Sequence, residues 1–246
     1  DGFGRSLSIL DGSAKSIENK GSIDQAAASY DQLLDELPAN QRAKMQQIVD
    51  RSAQQRIQRQ YADAKNEVES MLAVWHQMQA ALRKEGLQDD VQAMIDERGL
   101  IVSLVSHHVV FEPNVATLTP RGKRILDTLA PVLARLSEPI EIDGHTNQVK
   151  VKPKYYPTDW ELSSARAITA LRHLQEVDGL PNRRLTASAF GHTKPLIDPR
   201  TPGSQAVNKR VDIVVLSQAP AETREKFSQI ENELQPQRHS DPGGTP

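Results

Sequence analysis

The chain has 246 residues, 37% of them hydrophobic, 25% charged and only 4% aromatic, with a formal net charge of −2 and no cysteine. A nearly balanced charge gives no electrostatic footprint for nucleic acid or for a polybasic membrane anchor. The missing cysteines exclude a disulfide scaffold and thiolate chemistry, and no apolar run reaches the roughly 20 residues of a membrane span.

Residues 1–21 are rich in Gly and Ser, with a small apolar cluster at Phe3, Leu7, Ile9 and Leu10. They read as a flexible segment. A first helix is expected after Ser22, with Asp24 and Gln25 in its first turn, ending before Pro38. From Gln41 to Arg83 there is no Gly or Pro, and Ala, Gln, Arg, Glu and Met dominate, which is strong helix grammar. Residues 22–96 are therefore read as a helical linker region. Within it Tyr61, Ala64, Val68, Met71, Trp75, Met78 and Leu82 follow steps of three and four. Such a seam fits either a helix packed on its own chain or a coiled coil between two copies.

The pattern changes at "ERGLIVSLVSHHVVF", where Leu100, Val102 and Leu104 alternate with Ile101, Ser103 and Val105 in a strand-like run. "TPRGKRILDTLAPVLARL" reads as a helix capped by Thr119 and opened by Pro120. Its apolar face is Ile125, Leu126, Leu129, Val132, Leu133 and Leu136, and Pro131 is expected to kink or split it. "PIEIDG", "RLTASAFG" and "NKRVDIVVL" read as strands, and "DWELSSARAITALRHLQEV" as a further helix. Strands alternating with helices over residues 97–217 make one α/β or α+β domain. Residues 218–246 are expected to be mostly disordered, apart from one short helix near "AETREKFSQIENEL".

The stretch "IDGHTNQVKVKPKYYPTDWELSSARA" joins a strand end, a long basic and aromatic loop and a helix start. Asp159 is the expected N-cap, and the free amides behind it form a seat for a carboxylate. Arg166 shares a helical face with Leu162 and Ser163 and can grip a carboxylate in bidentate fashion. Thr146 and Asn147 add a hydroxyl and an amide. The set could hold a zwitterion, with the carboxylate on Arg166 and the ammonium on Asn147 or Asp159. The alternative is that Asp159 only caps and Arg166 makes a surface pair.

Gly144, His145, Thr146 and Asn147, followed by Asp159, Leu162, Ser163, Arg166 and Ala167, resemble the signature of the OmpA-like peptidoglycan-binding domain. Phe111, Asn114, Ala116 and Leu118, then "FGHTKPL" and "NKRVDIVV" with Arg210, match the family's other motifs in order over residues 97–217. "PTDWELSSARA" and the long loop are similar to the branch formed by flagellar motor stator B subunits. The resemblance implies an α+β two-layer sandwich, with helices on one face of a mixed sheet. It also implies binding of the diaminopimelate of peptidoglycan stem peptides, with Asn114, Thr146, Asn147, Asp159, Leu162, Ser163, Arg166 and Arg210 as the binding set. The family usually carries Asp at 147 and Asn at 159, so the pair is exchanged here.

The stator resemblance further implies a periplasmic protein tethered to the inner membrane through a helix that is absent from this chain. That helix would partner a stator A subunit, the protein would form a homodimer, and residues 1–21 would form a plug-like segment. The alternative is another wall-anchored envelope protein, such as a lipoprotein or a secretion-system subunit. No cofactor, metal or nucleic acid is implied. An enzyme is disfavoured, because there is no HExxH or GxSxG, Ser163 lacks a nucleophile elbow, and adjacent His107 and His108 point to opposite faces of a strand.

Overall fold

The computed structural model describes residues 38–105, 110–147 and 155–235. The segment 1–21, the helix expected over 22–37, His107 and His108, residues 148–154 of the long loop and the tail from 236 lie outside the described residues. The chain divides into two units, residues 1–57 and 58–246. The described part of the first, residues 38–57, is helical and largely exposed, with Met45, Ile48, Val49 and Ile57 open to solvent. Among the described residues no helix is long and apolar enough to cross a membrane.

Helix α1 (Ala39–Lys84) continues into the second unit, and there the apolar seam becomes core. Ala64, Val68, Met71, Leu72, Trp75, Met78 and Leu82 are buried in one cluster with strand and helix residues of the same chain, while Tyr61 stays exposed. The seam is therefore consumed by packing within the chain from Ala64 onward. Residues 22–96 are accordingly not only a linker, since the C-terminal half of α1 covers the sheet.

Five strands form the sheet: β1 (Val91–Asp96), β2 (Gly99–Val105), β3 (Ile140–Gly144), β4 (Leu185–Ala189) and β5 (Arg210–Leu216), in the order β1-β2-β5-β3-β4. Only β3 and β4 run parallel. Strand β1 is absent from the sequence reading, so the sheet begins before the boundary placed at residue 97. It forms a hairpin with β2 in which Asp96 pairs with Gly99. Gly99 has φ 138°, and a Cβ there would lie 2.2 Å from the Val215 carbonyl oxygen, so the turn excludes other residues. In register, Val91 and Ile95 join Leu100, Val102, Leu104, Val211, Ile213, Val215, Ile140 and Ile142 on one face, packed against the helices. The two-layer α+β architecture is thus set by period-two burial on that face.

Helix α2 (Pro120–Leu133) begins as its sequence predicts: Thr119 Oγ1 accepts from Gly122 N at 3.0 Å, and Pro120 takes the first position. Pro131 does not split it. The helix continues for two residues and ends at Leu133, so the lost N–H falls in a last turn that was about to stop. Helix α3 (Asp159–Glu176) precedes β4, and α4 (Ser204–Asn208) precedes β5. Past the sheet, α5 (Ala221–Arg224) and α6 (Phe227–Leu234) occupy the stretch expected to hold one short helix, as two helices in place of one. Phe227 and Ile230, one helical turn apart, are fully buried in the core cluster. Glu231 Oε2 accepts the Ile95 N–H at 3.0 Å, satisfying a donor of the edge strand.

Candidate functional site

Strand direction gathers the expected residues at one end of the sheet. The C-terminal ends of β2, β3 and β4 and the N-terminal end of β5 meet there, as the pairings Val105 with Arg210, Gly144 with Val211 and Gly144 with Ala189 require. Beyond Gly144 the chain stays tied on both sides. His145 N donates to Arg210 O at 3.0 Å, and Thr146 N donates to Gly191 O at 2.8 Å. Gly144 is obligatory for a packing reason: a Cβ would lie 2.0 Å from the Ser163 carbonyl oxygen, so strand β3 and helix α3 touch backbone to backbone.

Helix α3 is capped by Thr158, not by Asp159. The Thr158 hydroxyl accepts from Trp160 N at 3.1 Å, and Glu161 Oε2 accepts from Thr158 N at 3.0 Å, completing a capping box. The one-residue offset frees Asp159. Its Oδ2 accepts from the Thr146 hydroxyl at 3.3 Å, from His192 N at 3.0 Å and from His192 Nδ1 at 2.5 Å. Burial pushes the Asp159 carboxyl up, but the His192 hydrogen bond and charge outweigh it and hold the group below its ordinary value. Gly191 has φ 51°, and a Cβ on it would lie 2.8 Å from Asp159 Oδ2, so this knot needs glycine as well.

Ser163 is fully buried. Its Oγ donates to Trp160 O at 2.9 Å and accepts from Gly191 N at 3.1 Å, so both of these bonds go to backbone and neither goes to a base. His145 stacks on Phe190 with ring centroids 5.2 Å apart. Its Nε2 lies 3.2 Å from Asp212 Oδ2, outside hydrogen-bonding direction. Leu162 and Thr146 are buried, and Asn147 is half-buried with no hydrogen bond from its amide among the described residues.

Arg166 is only 4% exposed. Its Nε donates to Val115 O at 3.2 Å, and its guanidinium carbon stands 5.4 Å from the Phe111 ring centroid. No carboxylate of a described residue lies within ion-pair distance. Burial lowers its pKa to about 10, against a smaller opposing pull from Tyr156. Half-buried Lys209 lines the same cleft as Arg166 and Phe111, and its pKa is lowered by burial and by the charge of Arg166. Two desolvated cations share that cleft, and among the described residues no acid pairs with Arg166, an arrangement that attracts an anion.

Asn114 takes the left-handed conformation, φ 60°, in the turn closed by Glu112 N to Thr117 O at 2.9 Å. That turn presents the Val115 carbonyl to Arg166, and Asn114 itself is exposed. Arg210 lines the cleft too, but its Nε donates to both Asp212 oxygens at 3.0 Å and its Nη1 to Lys194 O at 3.3 Å. Its charge is spent inside the fold. Sequence reasoning missed Lys209, Tyr156, Thr158 and His192 as parts of the site. Lys209 sits between Asn208 and Arg210 of a motif already noted, and Thr158 and Glu161 spell the capping box.

Residues 110–209 match the OmpA family. The chain is 24% identical over 160 residues to motility protein B of Bacillus subtilis, covering 64% of this chain and 60% of that protein. A solved MotB-like protein from Desulfovibrio vulgaris is 26% identical with a TM-score of 0.56, covering 63% of this chain and 99% of that one. The cell wall anchor of the type VI secretion system of Pseudomonas aeruginosa shares the fold, at 22% identity and a TM-score of 0.50 over 57% of this chain and 97% of that one. The chain spans about three fifths of the length of the first curated relatives it matches. Residues 110–209 therefore match the OmpA family, and the chain is similar to MotB-like proteins.

Proposed function

We propose that the protein is a non-covalent peptidoglycan anchor, holding a carboxylate of the diaminopimelate-containing stem peptide at Arg166. The observation that carries this reading is a guanidinium almost wholly buried, with a carbonyl and an aromatic face as neighbours but no acid among the described residues. A buried cation lacking its counter-charge is costly unless a ligand supplies one. Lys209 reinforces the attraction, and Thr146, Asn147 and the exposed Asn114 border the region, with Asn147 offering an amide where the family usually offers a carboxylate. Leu162, Ser163 and Arg210 then act by shaping the seat, since Ser163 and Arg210 spend their polar groups inside the fold. Asp159 contributes through the position of Thr146 rather than by charge to the ligand.

Within that reading the chain is the periplasmic part of a flagellar stator B subunit. It would be tethered to the inner membrane, paired with a stator A subunit and with a second copy, and would fix the motor against the wall while ions pass. The sequence similarity to motility protein B and to the Desulfovibrio protein supports this branch. A wall anchor of another envelope assembly is the second reading, favoured by the fold shared with the secretion-system anchor.

The test is co-sedimentation of the full chain with purified sacculi. Wild type should pellet, and Arg166→Ala should remain in the supernatant while keeping its circular dichroism spectrum. Equal pelleting of both would remove Arg166 from the site. Deletion of the gene should abolish motility if the stator reading holds, and leave swimming intact if the anchor serves another assembly.

A further inference from the structure

At the end of α3 remote from Arg166 lies a second group of ionisable side chains drawn from separate segments. His173 is in the last turn of α3, Asp178 follows that helix, and Asp127 projects from α2. His173 Nε2 is 2.7 Å from Asp127 Oδ1 and 3.9 Å from Asp178 Oδ2, and one donor atom from each residue lies within 4.8 Å of the others. The His173 and Asp178 side chains are 10% and 11% exposed.

Two features distinguish this group from a solvated acidic patch. One donor is an imidazole, and one carboxylate oxygen is sealed and unused: Asp178 Oδ2 is buried and makes no hydrogen bond. The backbone holds Asp178 in place. Its N–H donates to His173 O at 3.2 Å, Gly179 turns the chain with φ 75°, and Leu180 N closes the turn on Leu174 O at 2.9 Å.

We propose that Asp127, His173 and Asp178 form a binding site for a borderline divalent cation of the zinc type, with water in the fourth position. Bonds of about 2.1 Å around a tetrahedral ion place donor atoms roughly 3.4 Å apart, between the two separations the side chains now hold. The cation satisfies the unused Asp178 oxygen. Magnesium and calcium, which need octahedral or larger all-oxygen shells, suit one imidazole and two carboxylates poorly. The ligands come from α2, α3 and the turn after α3, so the ion staples the helical layer away from the candidate anchoring residues.

The test is isothermal titration of the chelator-treated full chain with zinc chloride, with magnesium chloride as control. Wild type and His76→Gln, a control at an exposed histidine of α1, should bind one zinc per chain and gain thermal stability from it. Asp178→Asn and Asp127→Asn should bind more than about tenfold more weakly and lose that gain, since loss of an outer-shell partner alone costs 10–100-fold. Asp127 is half exposed, so its substitution leaves the fold intact and isolates the ligand effect. Zinc binding unchanged in both variants, no stoichiometric binding by wild type, or magnesium bound as tightly as zinc would each overturn the proposal.

Discussion

Arg166 and Asp159 stand two turns apart on one helix, and the fold treats their charges in opposite ways. Asp159 is fully engaged through one oxygen by Thr146 and His192. Arg166 is buried with no acid paired to it among the described residues. On the proposed anchoring reading, the exchange of Asn147 and Asp159 relative to the family pattern would leave a seat that is cationic rather than zwitterionic. Asp159→Asn should cost about 1 kcal/mol in urea denaturation, a small value for charge-assisted bonds because His192 is half exposed. The sign with pH follows from the lowered folded value. The wild-type advantage is complete above the ordinary carboxylate value of 3.8 and is lost as pH falls through the lower folded one. A gap between wild type and variant that persists unchanged into strong acid would show that Asp159 acts by shape alone. The residues here were legible in kind but not in partner. Thr158-x-x-Glu161 is a readable cap, yet only the tertiary meeting of β3, α3 and Gly191 reveals that Asp159 is thereby released for His192.

At the scale of elements, legibility followed apolar density. Strands β2 and β5 are buried on both faces and read as continuous β-rich runs. Strand β1 is an edge, with Val91 and Ile95 fully inward, half-buried Ala93 between them and Gln92, Met94 and Asp96 filling the other positions, so its period of two is weak in the sequence. The helices after β5 had a readable helical pattern, but their order depends on Phe227 and Ile230 finding a core that lies far away in sequence. Phe227→Ala should therefore destabilise the protein by roughly 3–5 kcal/mol, the range for emptying a buried aromatic site. Urea unfolding followed by Trp75 fluorescence measures it. A loss below about 1 kcal/mol would mean that α6 merely rests on the surface and that the tail is dispensable.

The whole molecule raises the question of what the smallest anchoring unit is. The family match begins at residue 110, and the sequence reading began the domain at 97. Both boundaries omit β1 and α1, which between them satisfy an edge of β2 and cover the apolar face that Leu100, Val102 and Leu104 present. A fragment of residues 97–217 would expose that face together with the groove vacated by Phe227. It would also convert β2, the most apolar strand, into a free edge prone to pairing with other chains. Residues 58–235 retain every buried residue among the described residues of the second unit. The expected outcome is that 58–235 unfolds in one cooperative urea transition and pellets with sacculi, while 97–217 aggregates or unfolds without a cooperative step. If 97–217 instead unfolds at the midpoint of the longer chain, α1 and β1 are appendages and the core is smaller than the burial pattern implies. The distinction matters for the anchoring assay, because the residues around Arg166 project from the ends of β2, β3, β4 and β5 and keep their geometry only while that sheet is intact.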